Sequence, residues 1–158
     1  CENYTKRSLR RQQWELRLDD FNGIDDPIEL PRPPLSTAST DLVVSFVEDN
    51  TAGNTTEVAS TLLDIDYYSE PAKIYPSYYN EWPDNVRDVR NAVRITYYTG
   101  YSNTAIMPQD IKHWLLLRVG AMYEHRESLM AGNFANQTVE LPRNFVDGLL
   151  DPYVIMDV

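Results

Sequence analysis

Asp64 and Asp66 lie two apart in a stretch with apolar alternation, so both carboxylates would share one face of a strand. Such a pair is the raw material of a glycosidase or of a calcium site. Asp19-Asp20 and Asp25-Asp26 flank the turn signal Asn22-Gly23, where aspartate more often builds turns than does catalysis. His113 and His125 fall on one helical stretch, roughly 18 Å apart along it and about 120° around it, too far to share a metal. His113 as a base would need a nucleophile, and no P-loop, GxGxxG or HExxH motif supplies a catalytic setting. Cys1 is the lone cysteine, which rules out a disulfide framework and a Cys/His zinc cluster. The sequence nominates no catalytic residue, metal ligand or cofactor-binding motif.

The chemical surplus is tyrosine, with 11 in the chain. Tyr67, Tyr68, Tyr75, Tyr78, Tyr79, Tyr97, Tyr98, Tyr101 and Tyr123 all lie in the central part of the chain. Tyrosine gives large contact area at low entropic cost and is enriched at interfaces. Subunit contact is the first reading, and sugar stacking in a carbohydrate-binding or adhesive β-module is the alternative.

The elements that would position these residues form an α+β chain, a β-rich body between helical ends. Residues 1–11 read as the last turns of a helix already under way, which leads us to expect chain ahead of Cys1. Residues 12–101 form the body, with five or six strands. Gln13 to Phe21 alternates Trp14, Leu16 and Leu18 against Glu15, Arg17 and Asp19, a half-buried strand. Ile28-Glu29-Leu30 is a short strand ended by Pro31, Pro33 and Pro34. Asp41 to Glu48 is a strand running into the hairpin loop Asp49 to Asn54. Glu57 to Asp66 is a weaker strand, and Lys73-Ile74-Tyr75 a short one. Ser77 to Asp84 is a loop whose Trp82 folds back over the sheet, and Val93 to Tyr98 is the last strand before the Gly100 turn.

The long helix runs from Pro108 to Met130, within segment 108–131, with Pro108 and Asp110 at its start and Gly132 as its stop. From Trp114 to Tyr123 its only charge is Arg118. Leu115, Leu116, Leu117, Val119, Ala121 and Met122 point in every direction, so the helix must be covered on more than one side. Part of that cover is expected from a second copy, through Trp114, Leu116, Leu117 and Tyr123. Charges return in Glu124-His125-Arg126-Glu127. Residues 143–150 give a short helix with Phe145, Val146, Leu149 and Leu150 on one stripe, stopped by Asp151-Pro152. Residues 152–158 form a C-terminal arm whose Tyr153, Val154, Ile155 and Met156 lack anything further along the chain to fold against. Such an apolar end is expected to dock on a partner.

The formal net charge is −10 and uneven: Lys6, Arg7, Arg10 and Arg11 against Glu2 give residues 1–11 a charge of +3, leaving −13 for the rest. An acidic body argues against gripping nucleic acid through phosphates, but suits a surface that DNA must pass. No apolar run approaches the roughly 20 residues of a membrane span. The sequons at Asn54 and Asn136 carry no weight without secretion.

The order of short patterns adds a resemblance. Gln13-Trp14-Glu15-Leu16 precedes Asp20-Phe21, then Ile28-Glu29-Leu30-Pro31 and Pro33-Pro34-Leu35. Trp82-Pro83 follows, then Asn91 to Tyr97 ending in Gly100-Tyr101. Met107 to Lys112 opens the long helix, Tyr123 to Glu127 ends it, and Leu141-Pro142 and Leu149 to Tyr153 complete the set. From about Cys1 to Tyr153 the chain resembles the head–tail connector (adaptor, or head-completion) proteins of tailed bacteriophages. It departs at Thr51 to Glu57, a longer loop, and at Tyr78-Tyr79, where the family more often has glycine. The resemblance implies a structural, non-enzymatic virion protein without cofactors, made in the host bacterial cytoplasm and placed at the head–tail junction. It implies a homo-oligomeric ring, commonly of twelve copies, under the portal protein and above the next neck or tail-completion protein. DNA would pass through its channel without specific binding. The arm Tyr153 to Met156 would then dock on the portal.

Overall fold

The computed structural model describes residues 1–21, 23, 26–50, 52–124 and 146–155. Among these residues seven strands form two antiparallel sheets: β1 (Gln12–Leu18), β2 (Ile28–Leu30), β3 (Leu42–Val47), β4 (Thr55–Glu57), β5 (Leu63–Asp66), β6 (Ala72–Pro76) and β7 (Val93–Thr99). One sheet has the order β1-β7-β3-β4 and the other β2-β6-β5. A short α1 (Glu2–Thr5) precedes them and α2 (Gln109–Glu124) follows. The α+β class is as the sequence indicates.

Period-two patterning sets the first sheet. Trp14, Leu16 and Leu18 of β1 are half-buried while the residues between them face water. The register then lines Leu16 against Ile95 and Ile95 against Val44, one apolar row across three strands. Ile28 and Leu30 of β2 and Ile74 of β6 meet this face from the second sheet, packing with Phe46, Val93 and Tyr97 of the first sheet and with Phe21. Each fully buried aliphatic side chain in this shared core contributes about 1.5–3 kcal/mol. Trp82 does fold back: its ring lies parallel to that of Phe21 at 4.8 Å between centroids. Its indole N–H donates to the Asp26 carbonyl at 3.0 Å, so the buried polar end is satisfied.

Tyr97 gives this core a pH signature. Burial pushes its phenol from the ordinary 10.0 up to about 12, despite the opposing charge of Arg32. The folded state thus holds a proton that the unfolded state loses above pH 10. Stability from this group is complete below that pH and is lost as pH rises through 12. Denaturation midpoints should fall across this window, and Tyr97→Phe should flatten the fall. An unchanged slope in the variant would show that Tyr97 does not carry the effect.

Three expectations are corrected. The stretch Glu57 to Asp66 is not one strand: β4 lies in the first sheet and β5 in the second, joined by a 3-10 turn at Ser60–Leu62. The small polar run Ala59-Ser60-Thr61 lets the chain change sheets. The N-terminal helix ends at Thr5, with Lys6 in the left-handed conformation (φ 55°), rather than reaching Arg11. Beyond Lys6, tertiary bonds hold the chain: Ser8 N–H donates to the Pro33 carbonyl and Leu9 N–H to the Glu2 carboxylate. Asp151–Tyr153 forms a 3-10 turn that continues the segment before it instead of stopping it.

A second core gathers the chain ends. Leu9, Ile111 and Leu150 are buried together, flanked by Cys1, Tyr101, Met107, Trp114, Leu115 and Tyr153. Gly100 turns the chain from β7 toward it at φ 92°, where a Cβ would stand 2.2 Å from the Arg10 carbonyl oxygen. The helix α2 begins just after Pro108, and His125, Arg126, Glu127, Met130 and Gly132 lie outside the described residues. So do Asn22, Asp25, Asn136 and Phe145. Among the described residues no helix is long and apolar enough to cross a membrane.

Candidate interaction surface

The helix α2 has two unlike halves. Ile111 is fully buried, and Trp114 and Leu115 pack beside it on the second core. The Trp114 indole N–H and the Arg118 guanidinium both donate to Asp147 Oδ1, at 3.1 and 2.6 Å. Trp114, expected between subunits, is therefore engaged by its own chain. Leu116, Val119 and Tyr123, spaced i, i+3 and i+7, form an outward stripe. They are 68%, 63% and 70% exposed, and Leu117 is 38% exposed. Met122 is in line with Leu115 on the inward face, yet it is 75% exposed. The far half of α2 has passed beyond the packed core. Large apolar side chains at that exposure on one element make this half of α2 the candidate interaction surface.

The C-terminal segment is not a free arm as far as Ile155. The Arg7 Nε–H donates to the Tyr153 carbonyl at 2.6 Å, and the guanidinium carbon lies 5.8 Å from the centre of the Tyr153 ring. Tyr153 Oη donates to Asp110 at 3.2 Å, and Ile155 N–H to the Thr5 carbonyl at 3.2 Å. The expectation of an arm leaving the domain is corrected, because the N-terminal segment supplies acceptors and donors that sequence order conceals. Val154 and Ile155 remain half-buried, and Met156 lies outside the described residues. Arg7 and Glu70, which join in a two-pronged ion pair, carry this arrangement. Sequence reading missed both, since Arg7 sits in a basic run that resembles a solvated face.

The candidate carboxylates separate into local roles. Asp66 accepts from the Ser69 hydroxyl and from the backbone N–H of Tyr68 and Ser69. These bonds, the Ser69 hydroxyl first, hold its carboxyl below the usual range. Asp64 is exposed on the same short strand. Asp20 accepts locally from Phe21 N–H, and Asp19 ties the end of β1 to the start of β7 by accepting from Asn91 N–H, both at 2.8 Å. His113 is exposed on α2. Among the described residues no three His, Cys, Asp or Glu side chains gather as a metal site.

Solved structures share this fold. A chain of the neck of an empty gene transfer agent (GTA) particle, computed with C6 symmetry, superposes with a TM-score of 0.68 at 20% identity. The match covers 99% of this chain and 72% of that one. A chain of the virion of a native gene transfer agent particle matches with a TM-score of 0.62 at 17% identity, over 99% and 72%. At such identities the likeness is one of fold. No family profile and no curated protein matches the sequence.

Proposed function

We propose that the chain is a structural subunit of the neck of a phage-like particle, a head–tail connector. The observation that carries this reading is the shared fold of a neck chain over 99% of the present one. The helix α2 supports it, since a connector must bury an apolar surface against another copy. In this reading the subunits close a ring of about twelve copies, a number compatible with the sixfold symmetry of that neck. Leu116, Leu117 and Tyr123 lie between subunits, and Trp114 braces them from within. Val154, Ile155 and the residues after them contact the portal protein, and the opposite face receives the next neck or tail component. The residues after Arg11 carry −13, so DNA slides through without specific binding. The chain acts at the head–tail junction after synthesis in the host cytoplasm, with no catalytic step.

Native mass measurement and decoration of portal-bearing heads that lack a neck test the proposal together. A closed ring that binds those heads is expected. A chain that stays monomeric and leaves the heads bare, yet binds on a glycan array, would instead favour a carbohydrate module.

A further inference from the structure

The loop after β6 contains a local conflict between residue and backbone. Ser77 to Asn80 is a tight turn, with Asn80 N–H donating to the Ser77 carbonyl at 2.8 Å. Tyr79 sits at φ 66° while Tyr78 keeps a negative φ, the pattern of a type II turn, whose third position calls for glycine. A bulky residue held in this region is strained, and such outliers cluster where function requires them. The strain here holds aromatic surface in water: Tyr78 is 82% exposed and Tyr79 92%.

We propose that the Tyr78–Tyr79 turn of one copy receives the outward α2 stripe, Leu116, Val119 and Tyr123, of the next. The proposal rests on the ring reading and names its two contacting surfaces. A ring that closes head to tail needs two different surfaces on each chain. The stripe is anchored on the core of the chain ends, and the turn on the sheet β2-β6-β5, so the chain presents two separate apolar surfaces. Neither brings an uncompensated charge into the contact. From Leu115 to Tyr123 the only charge is Arg118, held by Asp147, and Ser77 to Asn80 carries none. Two tyrosines at this exposure offer roughly 300–400 Å². That is about half of one partner's share in an interface of standard size, and the rest falls to neighbouring residues.

The test uses the full chain with Cys1→Ser as background. Val119→Cys and Tyr79→Cys are made singly, mixed, and oxidised, with the oligomer mass measured in parallel. A disulfide-linked pair should form in the mixture and in neither variant alone. An unchanged oligomer mass without that cross-link overturns the contact and leaves the ring standing. Absence of any oligomer, in solution or on heads, overturns the ring and the contact together. Tyr79→Gly supplies an independent readout with opposed signs. It should raise the monomer's thermal midpoint by relieving the backbone, yet weaken self-association by about tenfold or more. Unchanged self-association in Tyr79→Gly would also overturn the contact.

Discussion

Leu116→Asp is expected to abolish assembly while leaving the unfolding free energy of the monomer within about 0.7 kcal/mol of wild type. Ile111→Asp, five positions earlier on the same helix, should instead unfold the core of the chain ends. Ile111 is fully buried against Leu9 and Leu150. A carboxylate there forfeits about 1.5–3 kcal/mol of apolar transfer and adds several more for burying charge. A loss of that size consumes much of the roughly 5–15 kcal/mol that stabilises a whole domain. Leu116 is 68% exposed, so its replacement changes helix propensity and little else within the monomer. In a ring the same carboxylate would sit in an apolar contact repeated at every subunit. Leu117, at 38% exposure, should show a share of both effects. Urea midpoints and native mass spectra separate the outcomes. Wild-type assembly by Leu116→Asp would mean that the outward stripe meets something other than a second copy.

The contrast between Ile111 and Leu116 also marks how far the sequence could be read. That α2 is apolar on all sides was legible from the run between Trp114 and Tyr123. Which side faces home was not, because Leu9 and Leu150 come from opposite ends of the chain. The strands β1, β3 and β7 were legible because one face of each is buried and alternation follows directly from that. The break between β4 and β5 was not, since a change of sheet leaves only a short polar interruption in the pattern. Trp82 was legible as a loop aromatic with too much apolar area to stay in water. The fate of Arg7 was hidden: a basic residue among Lys6, Arg10 and Arg11 reads as solvent-facing until its partner 63 positions away is known. The candidate surface was therefore readable as a composition and unreadable as a geometry. Its tyrosines were counted, but the strained turn that presents two of them depends on a backbone angle.

Glu70→Ala is expected to cost about 2–3 kcal/mol, and more than Arg7→Met, although Arg7 makes more contacts. Arg7 is 6% exposed and holds Glu70 with two guanidinium nitrogens, one of them at 2.6 Å. Its Nε–H serves the Tyr153 carbonyl. Removing Glu70 strands a buried cation with one neutral acceptor, the more expensive way to break such a pair. Removing Arg7 leaves a carboxylate whose side chain is 42% exposed and can rehydrate, while methionine refills the apolar stem. The double variant should therefore resemble Arg7→Met rather than sum the two losses. Urea midpoints decide it, and a costlier Arg7→Met would refute the stranded-charge account. The same geometry governs any test of portal docking. Ending the chain at Pro152 removes Tyr153 from the second core and the Ile155 bond to the Thr5 carbonyl. A truncated chain should lose stability before it loses a partner, and its failure to decorate heads would be uninformative. Ile155→Asp keeps the backbone bond and changes only a half-buried side chain. If the segment docks on the portal, this variant should fold and form rings but leave heads bare; full decoration would assign the portal contact elsewhere.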